Sequence, residues 1–262
     1  RGCKGVLVVF PLAEGLKIEV RRSMQKFETR ETTPLEVVAW SKNRPAFLNR
    51  QIVLILSILG IKDAQLEKMQ NAMLETLSLA LHSPQAAVQM LTNVPPPRNT
   101  GGVNTEVCCL DWPRMMIALL DSGLPAMTDP FLAATLYDTR TLQLVDLMQK
   151  ARIKVEKGAV LFGVAEPSVE PFLEYGQVVL QLTMWPKMDA ESGCEGDAVE
   201  PPPVVTILGP VVVTKNPCMH PGDIRVLTAV EPPPGLKHLR DVIVFPVKDG
   251  PLGSRPHPDE MA

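Results

Sequence analysis

The chain has 262 residues, 26 Lys and Arg against 29 Asp and Glu, a net charge of -3 and 45% apolar residues. That length supports one large or two small domains with real cores, and an ordinary apolar fraction with little net charge excludes disorder throughout. No uninterrupted apolar run reaches the ~18 residues of a membrane-spanning helix, and near-neutrality gives no global electrostatic drive toward nucleic acid, so any such contact must come from a local patch.

Proline is abundant, at 26 residues, while aromatics make up only 5%. The five cysteines (3, 108, 109, 194, 218) are odd in number and show no CxxC spacing, which argues against a disulfide framework or a zinc site and predicts reduced thiols in an intracellular compartment. The chain opens on Arg1 and closes at Glu260-Met261-Ala262 after a Pro-rich turn, so both ends read as cut from a longer protein.

In chain order, the pattern runs strands, helices, strands. Val6 to Phe10, Leu16 to Val20 and Leu35 to Trp40 are apolar or alternating runs that read as strands, with the basic cluster Arg21-Arg22-Ser23-Met24-Gln25-Lys26-Phe27 among them. Leu48 to Leu59 predicts a helix that is apolar nearly all round, stopped by Gly60. Asp63 is placed to cap the next helix, whose Leu66, Met69, Met73, Leu74, Leu77 and Leu81 form a 3.6-residue stripe. Ser83-Pro84 predicts an N-cap with Pro at the first helical position. After the loop from Val94 to Gly102, two more helices are expected, around Arg114 to Leu120 and from Asp129 to Lys150, the latter capped by Thr128 or Asp129. Met69, Met73, Met90, Met115 and Met116 at helical spacing read as core.

From Ile153 onward the expectation is β: Ile153 to Val155, Val160 to Val164, Gln177 to Met184, Val204 to Leu208, Val211 to Val213, Ile224 to Val230 and Val242 to Phe245. Lys187 to Pro203 reads as an acidic surface loop. The residues alone therefore give an α+β protein with a helical block between two β regions.

No GxGxxG, P-loop, GxSxG or HExxH occurs, and the histidines lie too far apart for a metal motif. The densest polar stretch, Lys215-Asn216-Pro217-Cys218-Met219-His220-Pro221-Gly222-Asp223-Ile224-Arg225, lies between two β runs, a common setting for binding residues. Lys215 and Arg225 suit a phosphate clamp and Asn216 a sugar or base. The competing reading is that Asn-Pro and Pro-Gly-Asp are turn formers with solvated charges. Cys218 beside His220 raises a thiol nucleophile acting on a small molecule, against the simpler reading of a small residue packed in a turn. A second cluster, Gly250 to Glu260, holds Arg255 and His257 between prolines, stiffly enough for positioning but equally in keeping with a linker. Lys4, between glycines, leaves room for a phosphate to approach or is an ordinary exposed lysine.

Taken together, GCKGVL (Gly2 to Leu7), RRSMQKF (Arg21 to Phe27), PAFLNRQIVLILSILGI (Pro45 to Ile61), ARIKV (Ala151 to Val155), EYGQVVLQ (Glu174 to Gln181), VVVTKNPCMHPGDIRVLTAV (Val211 to Val230), LKHLRDVIVFP (Leu236 to Pro246) and RPHPDE (Arg255 to Glu260) resemble, in order, the eukaryotic RNA-silencing RNA-dependent RNA polymerases of the cellular single-chain type. The resemblance implies two double-psi β-barrels joined by helices. Residues 1–41 would be barrel strands of an incomplete first barrel, 42–150 the helical connection, and 151–262 the second barrel, truncated before the catalytic loop.

It also implies template-directed nucleotidyl transfer, with RNA and nucleoside triphosphates as partners and Mg²⁺ held in the full-length parent by an Asp-x-Asp-Gly-Asp loop. No such loop occurs here, so the fragment alone is expected to bind no metal and be inactive. Lys4, Lys215, Asn216, His220 and Arg225 are then the candidate RNA- or nucleotide-binding residues, with Asp223, Arg255 and His257 supporting. The alternative on the same fold is a non-catalytic RNA-binding relic. Three departures from the family pattern are Met261 in place of a Cys, the Pro-rich turn Glu231-Pro232-Pro233-Pro234, and Ala165-Glu166, which puts an acidic role near Glu166 in doubt.

Overall fold

The computed structural model describes residues 2–9, 17–20, 22–28, 35–94, 112–125, 127–167, 170–184 and 203–249. The expectations for Arg255, His257, the loop from Val94 to Gly102 beyond Val94, and most of the acidic loop after Lys187 lie outside the described residues.

At the N-terminal end β1 (Gly2–Cys3) pairs antiparallel with β2 (Gln25–Phe27). The apolar runs read as strands at Val6, Leu16 and Leu35 form none among their described residues: Val9, Ile18 and Val38 are exposed, and a strand exists only where a neighbour accepts its hydrogen bonds. Conversely, β3 (Arg44–Phe47) was hidden by Pro45, which has no N–H to give a ladder; the register of its pairing with β4 (Lys154–Val160) shifts between Pro45 and Ala46.

The helical block follows the sequence closely. In α1 (Arg50–Ile58), Asn49 is the N-cap, its Oδ1 accepting from the Ile52 N–H at 2.9 Å. Gly60, at φ 96°, ends it in a Schellman turn: Gly60 N–H donates to Ser57 O and Ile61 N–H to Leu56 O. In α2 (Asp63–Leu79) Asp63 is the first helical residue rather than the cap, and it accepts from Ser57 Oγ at 3.0 Å. Ser83 caps α3 (Pro84–Thr92), α4 spans Trp112–Asp121, and Asp129 caps α5 (Pro130–Lys150) through the Leu132 N–H.

The predicted stripe of α2 becomes core: Met73 and Leu77 bury against Met90 and Leu91 of α3, Met116 of α4 and Leu132 and Leu136 of α5. Each such side chain contributes about 1.5–3 kcal/mol relative to exposure. Two cross-helix bonds satisfy carbonyls of this block, Arg140 Nε to Leu77 O at 2.8 Å and Gln143 Nε2 to Met90 O at 3.0 Å.

The C-terminal region is one mixed sheet. Besides β5 (Phe162–Ala165) and β6 (Gln177–Thr183), it contains β7 (Val204–Thr206), β8 (Gly209–Thr214), β9 (Ile224–Ala229) and β10 (Val242–Phe245). The hydrogen-bonded order is β5-β10-β6-β9-β8, with β7 also on β6; β5–β10 and β6–β9 are parallel and the rest antiparallel. β10 is buried along its whole length, in keeping with its uninterrupted VIVF and its place between two strands. Glu166, which follows β5, is buried and accepts backbone N–H bonds from Phe172 (2.8 Å) and Leu173 (3.1 Å), so this carboxylate braces a chain turn. The helical and β regions meet through α1, whose Ile52 and Ile55 pack on Cys218.

Candidate nucleic-acid interface

The polar stretch Lys215 to Arg225 is the turn between β8 and β9. The antiparallel register pairs Val213 with Arg225 and Thr214 with Ile224, so the next pair out is Lys215 opposite Asp223. Their side chains meet there, Nζ to Oδ1 at 3.5 Å. The other carboxylate oxygen, Oδ2, accepts the N–H groups of Met219 (2.9 Å) and His220 (3.0 Å). These amide bonds, the Met219 one first, hold the Asp223 carboxyl below its ordinary range, with the Lys215 ammonium adding to them and partial burial opposing them.

Two further contacts shape the turn. His220 Nδ1 accepts the Gly222 N–H at 2.9 Å, so the neutral ring carries its proton on Nε2. Asn49 Nδ2 reaches Asn216 Oδ1 at 3.5 Å, a long contact that ties the turn to the start of α1. Beneath, Cys218 is buried among Ile52, Ile55 and Ile224.

This geometry disposes of the thiol-enzyme reading: Cys218 is enclosed by apolar side chains, and the His220 nitrogen that could serve as its base is occupied by Gly222. It also shows what the turn can do. Its side-chain acceptors (the Asp223 carboxylate, Asn216 Oδ1 and His220 Nδ1) are engaged inside the loop or with α1. The side-chain groups left for a ligand are donors: the remaining N–H bonds of Lys215, the Asn216 amide N–H and the His220 Nε2–H, with Asn216 and His220 exposed. Arg225 is half-buried, on the same face of β9 as Leu227 and Ala229 by alternation.

Lys4 is exposed and lies on the β1–β2 ribbon, a different sheet from the turn; its own N–H donates to Met24 O at 2.9 Å. Asn49 is a residue that sequence reasoning missed. The signal was present, since Asn directly before an apolar helical run is an N-cap pattern, but its second contact is made across 167 positions of chain.

Among the described residues no three His, Cys, Asp or Glu side chains are gathered closely enough to hold a metal ion. No helix among the described residues is long and apolar enough to cross a membrane.

The fold is thus a helical block joined to a mixed parallel and antiparallel sheet, with the β8–β9 turn at their junction. The sequence profile described as RNA dependent RNA polymerase matches residues 1–262, and the chain belongs to that family. RNA-dependent RNA polymerase 1 of Arabidopsis thaliana is 38% identical over 261 residues, covering 100% of this chain and 20% of the relative. Probable RNA-dependent RNA polymerase 1 of Oryza sativa subsp. japonica is 34% identical, over 100% of this chain and 30% of its own length. RNA-dependent RNA polymerase 1 of Schizosaccharomyces pombe is 28% identical over 94% of the chain. The chain thus spans only a fifth to three tenths of the curated relatives that match its whole length. Among solved structures, the RNA dependent RNA polymerase QDE-1 from Thielavia terrestris superposes with a TM-score of 0.51 over 90% of this chain and 27% of that one, at 19% identity, a likeness of fold.

Proposed function

We propose that the chain is part of the catalytic region of an RNA-directed RNA polymerase that copies RNA templates in RNA silencing, and that the turn between β8 and β9 contacts the phosphates of template, product or incoming nucleoside triphosphate. The observation that carries this reading is the inventory of the turn: side-chain acceptors engaged internally, side-chain donors on exposed Asn216 and His220, and a lysine at the base. A ligand rich in acceptors and negative charge is its complement. Lys215 and His220 are the leading contacts, Asn216 serves a ribose or base edge, and Arg225 and Lys4 add charge. Asp223 positions Lys215 and the amides of the turn. Arg255 and His257 lead toward a carboxylate loop that binds Mg²⁺ in the whole protein. The sheet is part of a double-psi barrel, a reading supported by its two parallel pairings between strands distant in sequence, β5 with β10 and β6 with β9.

The test uses the full-length polypeptide carrying this chain. Lys215→Ala should weaken single-stranded RNA binding and lower the salt dependence of log K by roughly 0.7, the share of one phosphate contact. Nucleotide incorporation should fall with it. Unchanged affinity and unchanged salt slope would sink the assignment.

A further inference from the structure

A second polar groove is lined by residues of the helical block and of the β3–β4 pair. It consists of two adjoining clefts that share Met73 and the buried Asn93. The smaller, about 200 Å³, has Phe47 and Trp112 in its walls together with Gln143, whose Oε1 is buried without a hydrogen-bond partner. The larger, about 680 Å³, has Lys68, Lys154 and Glu156 as its charged lining.

Lys154 joins the two halves. Its ammonium lies 5.6 Å from the centroid of the Phe47 ring, within cation–π range. It is partly buried, and burial pulls its pKa below the ordinary lysine value, with Glu156 opposing the shift. Among the described residues no carboxylate forms an ion pair with it. Glu156 offsets part of the lost hydration through space but forms no ion pair with the ammonium, and an arriving anion at hydrogen-bond distance would offset more. Arg152 also lies 5.6 Å from the Phe47 centroid, so the ring is bordered by two cations.

The combination is asymmetric in a particular way. One end offers aromatic walls, an orphan acceptor for an N–H donor and the ion-paired Arg152 and Asp146, and the other offers two ammonium groups beside the single carboxylate of Glu156. We infer that this groove binds a phosphorylated nucleoside unit, its base in the Phe47–Trp112 cleft and its phosphate between Lys68 and Lys154. The unit is either a free nucleotide or one residue of an RNA strand. Phe47 and Asn49 are separated by Leu48 alone, so the groove begins about 7 Å along the chain from the contact that anchors the β8–β9 turn. The groove's own residues are distinct from those of that turn.

The test is lysine acetylation of the full-length polypeptide, read residue by residue by mass spectrometry, with ATP alone and with a short single-stranded oligoribonucleotide. Protection of Lys154 and Lys68 by ATP supports the site with a free nucleotide as its source, and protection by the oligonucleotide alone supports it with a strand. Unchanged acetylation of both lysines at saturating concentrations of both probes would overturn it. Lys154→Ala should weaken binding of the protecting probe roughly tenfold, as expected for one charge-assisted bond, and Lys154→Arg should restore it. Lys215→Ala should leave the protection in place; its loss in that variant would refute a separate site. If Lys215→Ala leaves RNA binding unchanged while Lys154 is protected, the turn assignment fails and the groove stands.

Discussion

Asn49 does two things that substitution can separate. Its Oδ1 caps α1 through the Ile52 N–H at 2.9 Å, and its Nδ2 touches Asn216 at 3.5 Å. A cap of this kind is worth about 1 kcal/mol, whereas a contact at the outer limit of hydrogen bonding contributes only a few tenths. Asn49→Ala removes both, so thermal unfolding should shift down by about 2–4 °C for a chain of this size. Asn49→Asp keeps an acceptor at the cap and gains from the helix dipole by about 0.3–1 kcal/mol, but it sets a carboxylate against Asn216 Oδ1. Its stability should therefore stay within about 0.5 kcal/mol of the parent, the dipole gain offsetting the lost contact. RNA affinity should fall in both variants: in Ala because the first turn of α1 frays under Cys218, in Asp because the turn loses its tie and gains a nearby negative charge. Thermal and urea unfolding with RNA-binding titrations measure all of this. If Asn49→Asp destabilises as much as Asn49→Ala, the tie to Asn216 rather than the cap carries the energy, and the reasoning is refuted.

Two further outcomes follow from buried or shifted carboxylates. Glu166→Ala leaves the Phe172 and Leu173 amides without their acceptor and should cost about 3 kcal/mol in urea unfolding, with Glu166→Gln closer to the parent; a loss under about 0.5 kcal/mol would show that water replaces the side chain. Asp223 has a folded pKa below its ordinary 3.8, so its contribution is complete above that value and is lost as the pH falls through the lower folded value. The difference in stability between the parent and Asp223→Asn should accordingly be constant at neutral pH and shrink below about pH 4, and a difference that persists unchanged at pH 2 would contradict the assignment.

The helices were legible because their signals are local. Ser83-Pro84, Asp129-Pro130 and Gly60 each act within four residues, and the structure uses all of them, while the equally local cap at Asn49 was passed over inside the apolar run from Leu48. The C-terminal strands were legible for a similar reason, since alternation and flanking turns mark them. The N-terminal runs misled because apolarity measures the wish for a partner, not its presence. β3 was missed because Pro45 normally argues against a strand, and only the register shift that accommodates it makes the pairing workable.

The candidate site divides in the same way. Sequence alone singled out Lys215, Asn216, His220, Asp223 and Arg225 as one polar stretch between strands, and the motifs carried the family. It did not determine how those residues share their hydrogen-bonding capacity. That depends on the antiparallel register that brings Asp223 opposite Lys215, and on the packing of Cys218 against Ile52 and Ile55, which sets the turn on α1. Likewise Phe47 and Lys154 are unremarkable in the sequence and become neighbours only when β3 pairs with β4. Periodicity and capping are written within a few residues, whereas the pairing of Lys215 with Asp223 needs the strand register, and burial of the thiol and the walls of the groove are properties of segments brought together across more than a hundred positions.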